Sequence, residues 1–280
     1  MSENNNNAAG RLRRLDSRHA RSSGISVVLI PLLFLASPIG TAYSQDAGNA
    51  LDFDGIDDTV VVGKDLDPAD QGTVEFWISA DASDSRRVMG HHDAFEVRLD
   101  PAPAGNGYIV DHQFFIGGSD TLHATTILPF GEWHHIACTW DSDQSALIYI
   151  DGALDAASNQ AGEDPGSFPF TIGTRTDQNQ DYFDGRLDEV RIWSEVRTEQ
   201  QIQEYMLKTI TNAESEANLI AYWRFDEKNG TECTDHSGSG FDGKMTKMDP
   251  AIARIASTAP VSAAVLPAGR LSTTWGNIKM

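Results

Sequence analysis

Basic residues are scarce in this chain: 21 Lys and Arg face 41 Asp and Glu, a formal net charge of −20. Phosphate backbones and anionic membrane surfaces are held by clustered Lys and Arg, so neither nucleic acid nor an anionic bilayer is an expected partner. Common catalytic signatures are missing as well: no Gly-x-Ser-x-Gly, His-Glu-x-x-His or phosphate-loop pattern occurs. Cysteine is nearly absent, with Cys138 and Cys233 alone. In an exported chain the two could form a disulfide closing a long loop, or stay as two buried thiols; both readings are open. Long apolar runs are lacking too. The run at residues 25–36 (ISVVLIPLLFLA) falls short of the ~20 residues that span a bilayer, and Pro31 interrupts it.

That short run has a context. Arg11, Arg13, Arg14, Arg18 and Arg21 precede it against Glu3 and Asp16, and small and polar residues follow through Thr41-Ala42-Tyr43-Ser44. A basic region, a short apolar core and a small-residue ending predict a signal peptide over residues 1–44, cleaved after Ser44. An uncleaved anchor is the alternative, because the basic region is long. Cleavage removes five basic and two acidic residues and leaves residues 45–280, with 16 Lys and Arg against 39 Asp and Glu, a net of −23. The mature chain is expected outside the cell or in the envelope, with no membrane insertion after cleavage. Extracellular solubility accounts for much of the acid, and divalent-cation binding for a specific part of it.

From residue 50 onward short runs of alternating or β-branched residues are separated by turn residues. They fall at residues 51–53, 59–62, 72–78, 86–89, 94–99, 108–116, 122–127, 133–140, 146–150, 170–172 and 219–225, with the hairpin signal Asp151-Gly152 after the run at 146–150. Many short strands without intervening helical periods predict an all-β, two-sheet antiparallel sandwich of jelly-roll type. One short helix is expected after Trp193, where Thr198-Glu199-Gln200-Gln201 forms a capping box before Ile202, Tyr205 and Met206. Residues 249–280 are Ala/Ser/Pro-mixed and predict an extended tail of unknown role.

Residues 182–193 (YFDGRLDEVRIW) hold two adjacent carboxylates in a strand, an environment that suits Asp and Glu poorly. Strict alternation places Asp188 with Val190 and Ile192, and Leu187, Glu189, Arg191 and Trp193 on the other face. Split in this way, Asp188 and Glu189 cannot jointly flank one bond. Glu189 then pairs with Arg191, while Asp188 at the core's rim needs a cation, backbone N–H groups, Arg186 or Arg191.

With Ala50-Leu51-Asp52-Phe53-Asp54-Gly55-Ile56-Asp57-Asp58, Gly72-Thr73-Val74-Glu75-Phe76-Trp77, Gly131-Glu132-Trp133-His134-His135-Ile136-Ala137 and Leu147-Ile148-Tyr149-Ile150-Asp151-Gly152, the chain resembles the LamG-like, concanavalin A-like jelly-roll domains of bacterial surface proteins. Ile172-Gly173, residues 183–193, Tyr222-Trp223 and Asp235-His236-Ser237-Gly238 extend the resemblance. It implies one jelly-roll domain over residues 45–248, with the first strand close to residues 182–193. Asp54, Asp57 and Asp58 would then meet Asp188 around a structural calcium ion, which takes 6–8 oxygens.

The related fold also houses glycoside hydrolases, whose two carboxylates sit ~5–9.5 Å apart across a cleft on one strand of alternating acids. No such strand is apparent, and Glu75 stands alone. The expected protein is therefore no enzyme but a recognition module, carbohydrate first. A surface module binding a cell-surface protein is second, and a divergent hydrolase using Glu75 or Glu189 third. Loops and strand ends supply the candidate binding rim: His92, Asp93, Asn106, Tyr108, Asn179, Asp181 and Tyr182. His134-His135 and the strand tryptophans are expected to pack.

Overall fold

Period-two alternation builds the first strand, β1 (Asn49–Asp54), where Leu51 and Phe53 are buried while Asp52 and Asp54 are not. β2 (Thr59–Val62), β3 (Gly72–Ala80), β4 (Arg86–His91), β5 (Phe95–Pro101), β6 (Tyr108–Phe114) and β7 (Asp120–His123) follow. Next come β8 (His134–Trp140), β9 (Ala146–Ile150), β10 (Ala153–Ser158), β11 (Thr171–Ile172) and β12 (Asp184–Trp193). The computed structural model describes residues 48–62, 66, 71–82, 84, 86–91, 95–114, 120–141, 145–159, 169–174 and 181–263. The predicted signal peptide and residues 264–280 lie outside them. At Asp151-Gly152 both residues have positive φ, 51° and 78°, the conformation a tight β9–β10 hairpin requires.

Helix α1 (Glu199–Tyr205) starts at the expected capping box, with Thr198 and Gln201 bonding reciprocally. β13 (Lys208–Thr209), β14 (Leu219–Trp223), β15 (Glu232–Cys233) and β16 (Gly243–Thr246) come next. The stretch expected as a tail is structured through residue 263. It forms a single helical turn, α2 (Pro250–Ala253), then β17 (Arg254–Ala256) and β18 (Ser262–Ala263). α2 adds a second, four-residue helix to the one expected.

The strands form two large antiparallel sheets, and β13 and β18 make a separate two-stranded parallel pair. The first runs β10-β9-β8-β3-β12-β1-β17, with β14 also on β12, and the second β15-β16-β2-β11-β4-β5-β6-β7. Between them lies the main core, where Trp140 of the first sheet meets Phe95 of the second at 4.9 Å and Trp223 stacks on Phe170 at 5.8 Å. Cys138 belongs to the first sheet and Cys233 to the second, and both are buried free thiols. The disulfide reading is thus corrected. Burial, then the Asp111 charge, raises the Cys138 thiol, and burial leads the rise of Cys233 to about 12.

The central strand β12 departs from alternation. Asp188 faces Trp77 across the ladder and Arg191 faces Glu75, so Glu189 and Val190 together oppose Phe76. Glu189 takes the extra place, with φ +52°. The bulge turns Leu187, Val190 and Ile192 to the core, and Asp188, Glu189, Arg191 and Trp193 to the outer side of the sheet. The predicted opposite facing of Asp188 and Glu189 is therefore corrected: one inserted residue resets the phase.

Both carboxylates are sealed there. Glu189 accepts from Arg191 (2.6 Å), Thr209 (2.9 Å) and Tyr222, and Arg191 also bonds Glu75 (3.3 Å). Asp188 and Trp77 beside this network are covered by the strap of residues 254–263. Its Ser257 hydroxyl donates to Asp188, while Ala259 and Val261 pack on Trp77.

Candidate functional site

Two places on the domain gather chemistry-bearing side chains. The first is the β1–β2 turn. Gly55 adopts φ +71°, and a Cβ there would meet the Asp184 side chain at 2.8 Å. The turn it permits folds on its own carboxylates: Asp54 Oδ1 accepts from the Ile56 (2.8 Å) and Asp57 (3.4 Å) amides, and Asp58 Oδ2 accepts from the Asp54 amide (3.1 Å). Asp54, Asp57 and Asp58 each bring an oxygen within 4.8 Å of the others.

A cleft of about 270 Å³ opens beside this turn, lined by Asp52, Asp54, Asp58, Lys247, Asp249, Ile252 and Ala253. Burial first, and then the charges of Asp54, Asp57 and Asp52, push the Asp58 carboxyl up to about 6 against a stabilising amide bond. Lys247 Nζ stands 3.6 Å from Asp57, Arg186 Nε 3.1 Å from Asp52, and Arg86 donates to the Gly55 carbonyl (2.7 Å).

Asp188 is not part of this group. Asp54 pairs with Asp184, four residues from Asp188 along β12, a separation of about 13 Å at the strand rise. Asp188 is fully buried and satisfied by the Glu189 amide (2.7 Å) and Ser257. The expected meeting of Asp188 with Asp54, Asp57 and Asp58 is therefore corrected.

The second place is the outer face of the second sheet. Register sets one row of side chains across four strands, with Arg87 of β4 opposite Arg98 of β5, Arg98 opposite Asp111 of β6, and Asp111 opposite His123 of β7. Two arginines directly opposed repel, and carboxylates interleave to hold them. Arg87 Nε lies 3.1 Å from Glu96 and its Nη1 donates to Gln113 (3.2 Å). Arg98 donates to Asp111 (3.2 Å), Asp100 (3.0 Å) and Gln113 (3.4 Å). His123 Nδ1 lies 2.8 Å from the other Asp111 oxygen.

Asp111, Glu96, Gln113 and Arg87 are buried, whereas the row opens to solvent at Arg98, Asp100 and His123. Burial, then Asp100, raise the Asp111 carboxyl to about 6, with His123 pulling the other way. Oxygens of Asp100 and Asp111 and a nitrogen of His123 also lie within 4.8 Å of one another, but Arg98 already stands on both aspartates.

The residues expected to line a binding rim divide. Tyr108 is core, fully buried and stacked on Phe130 at 5.9 Å; this corrects its assignment as a rim residue. Asn106 is exposed at the β5–β6 turn. Asp181 lies 4.0 Å from Arg87, at the buried end of the row, and the Tyr182 ring sits under Lys247 at the acidic cleft. His92, Asp93 and Asn179 fall outside the described residues. Arg87, Arg98, Asp100, Asp111, Gln113 and His123 were missed. β5 shows clean alternation in sequence (Phe95-Glu96-Val97-Arg98-Leu99-Asp100), but only the register reveals that its polar side meets Asp111 and His123.

A two-sheet antiparallel sandwich of this topology defines the jelly-roll class of all-β domains. The chain belongs to the Concanavalin A-like lectin/glucanases superfamily, whose family model matches residues 54–203, over half of its length. It is 30% identical over 96 residues to the human Adhesion G-protein coupled receptor D1, a match covering 33% of this chain and 11% of the receptor. It is 24% identical over 193 residues to the rat Sushi, von Willebrand factor type A, EGF and pentraxin domain-containing protein 1, covering 64% of this chain and 5% of that protein. The chain thus spans about a tenth or less of these relatives. Among solved structures, a candidate carbohydrate-binding protein of Bacteroides ovatus superposes with a TM-score of 0.61 at 24% identity, covering 77% of this chain and 61% of that one. A likeness at this identity shows the shared fold.

Proposed function

We propose that this chain is an exported, non-catalytic carbohydrate-binding module. Its glycan lies along the open end of the Arg98–Asp111–His123 row, and a structural calcium ion sits in the Asp54, Asp57 and Asp58 turn. The observation that carries the reading is the row itself. Sugar hydroxyls are recognised by fixed, planar donors and acceptors, and here they stand on a rigid sheet, already oriented by one another.

Catalysis is disfavoured on geometric grounds. Glu75 and Glu189, the acids a hydrolase reading needs, are buried on the outer side of the first sheet and bound to Arg191. Asp100 and Asp111 share the Arg98 guanidinium instead of flanking a gap. Among the described residues no helix is long and apolar enough to cross a membrane.

A neutral-glycan array followed by calorimetry tests the reading. Retention of at least one glycan is expected, with affinity reduced about tenfold or more in Arg98→Ala and His123→Ala, the loss typical of a direct hydrogen-bonding group. Unchanged affinity in both variants would move the site elsewhere. Failure to retain any glycan, together with capture of an envelope protein, would favour the adhesion reading.

A further inference from the structure

Among the described residues, each guanidinium on the second sheet's outer face is already engaged by carboxylate. Arg87 has Glu96 at 3.1 Å and Asp181 at 4.0 Å, and Arg98 has Asp100 at 3.0 Å and Asp111 at 3.2 Å. Counted as ionised, these six residues sum to −2, and His123 adds a positive charge only when protonated. A uronate, sulfate or sialate approaching the row would meet excess negative charge on a chain that itself carries −20. Neutral hydroxyls meet oriented acceptors and donors and bring no charge to be desolvated.

We propose that the row selects uncharged glycans, and that Asp100 and Asp111 are its specificity-determining residues, holding Arg98 away from any ligand carboxylate. The proposal rests on the glycan-binding reading of this face. Selection of this kind works by repulsion and by occupation of the one group that would welcome the wrong ligand. Removing either aspartate's charge releases part of the Arg98 fork, and a planar guanidinium is the preferred partner of a carboxylate. The variants should therefore gain a ligand class instead of merely losing one.

The experiment compares neutral and uronic-acid oligosaccharides of equal length by calorimetry at pH 7.5. Wild type should prefer the neutral series by about tenfold or more, and Asp100→Asn and Asp111→Asn should each gain about tenfold for the uronates. Asp111 is buried and its variant could misfold; Asp100 is part-exposed and carries the test alone in that case. Wild type offers a third measurement. At pH 5 Asp111, held at about 6, takes up a proton beside Arg98, Asp100 and His123 while a uronate stays ionised, so uronate affinity should rise without mutation. Uronates bound by wild type as tightly as neutral glycans, or variants that keep neutral binding and stay blind to uronates, would overturn the proposal. If wild type retains neither class, the glycan reading falls as well, an outcome distinct from a reversed preference.

Discussion

Asp188 shows how much one residue's surroundings decide. Burial first, then the neighbouring Glu189 charge, lift its carboxyl well above the usual range, and the Ser257 hydroxyl only partly offsets them. A carboxyl whose pKa is raised on folding stabilises the fold most below its unfolded value, near pH 4, and that contribution is lost as pH rises through the folded value. At pH 7 Asp188 therefore works against stability. Asn at this position keeps both hydrogen bonds, its oxygen accepting from the Glu189 amide and its amide donating to Ser257. Asp188→Asn should stabilise the protein at pH 7 by roughly 1 kcal/mol or more, and the difference should shrink toward zero at pH 4. Urea melts at the two pH values check it. A variant destabilised at pH 7 and not at pH 4 would show instead that the Asp188 charge holds the strap.

At the scale of elements, the strap of residues 254–263 covers Asp188 and Trp77 on the outer side of the first sheet. Val261 is fully buried against Trp77, whose indole donates to the Met206 carbonyl (2.7 Å), and Trp133 donates to Thr258 (2.9 Å). Val261→Asp would place an unpaired charge there, costing about 3 kcal/mol or more. A lower denaturation midpoint and red-shifted tryptophan emission are expected, with Leu154→Asp, at a half-exposed position on β10, as the silent control. A normal midpoint in Val261→Asp would mean that the strap is not held by this contact.

The same strap shows where sequence reading stops. Strands, the Asp151-Gly152 hairpin and the Thr198 capping box were legible because each is encoded by neighbours in the chain. Ser257, Ala259 and Val261 look like linker residues, and only the flat indole of Trp77, far away in sequence, makes small residues the right fit. The bulge at Glu189 was hidden for a related reason. Nothing local marks an extra residue in β12; its cause is the demand of Arg191, Thr209 and Tyr222 for a carboxylate on the outer side. At the sites, Asp54, Asp57 and Asp58 could be found because they share one turn, while Arg98, Asp111 and His123 come from three strands whose register the sequence does not print.

For the whole molecule, the excess of acid is the quantity to be balanced, and the β1–β2 turn is where a single ion would act most. Asp58 near 6 stands above its ordinary value, so without a cation its ionisation opposes folding as pH rises from about 4 through 6. Calcium reverses that sign at neutral pH, because Asp54, Asp57 and Asp58 can all contribute charged oxygens at once. At a hundredfold excess over its dissociation constant the ion would add about 2.7 kcal/mol, several degrees in Tm for a domain of this size. Millimolar calcium should therefore raise Tm at pH 7.5 and a chelator should lower it, with Asp54→Asn and Asp57→Asn abolishing the response. Acid pH should weaken the effect as Asp58 takes up its proton. Asp188→Asn should keep the response intact, because Asp188 lies along β12 from the turn and is capped by Ser257. Sodium chloride at equal ionic strength separates site binding from general screening of the negative charge, since screening does not depend on those two aspartates. A Tm indifferent to both chelator and calcium would leave the turn as a self-bonded loop, with Lys247 as a counter-charge.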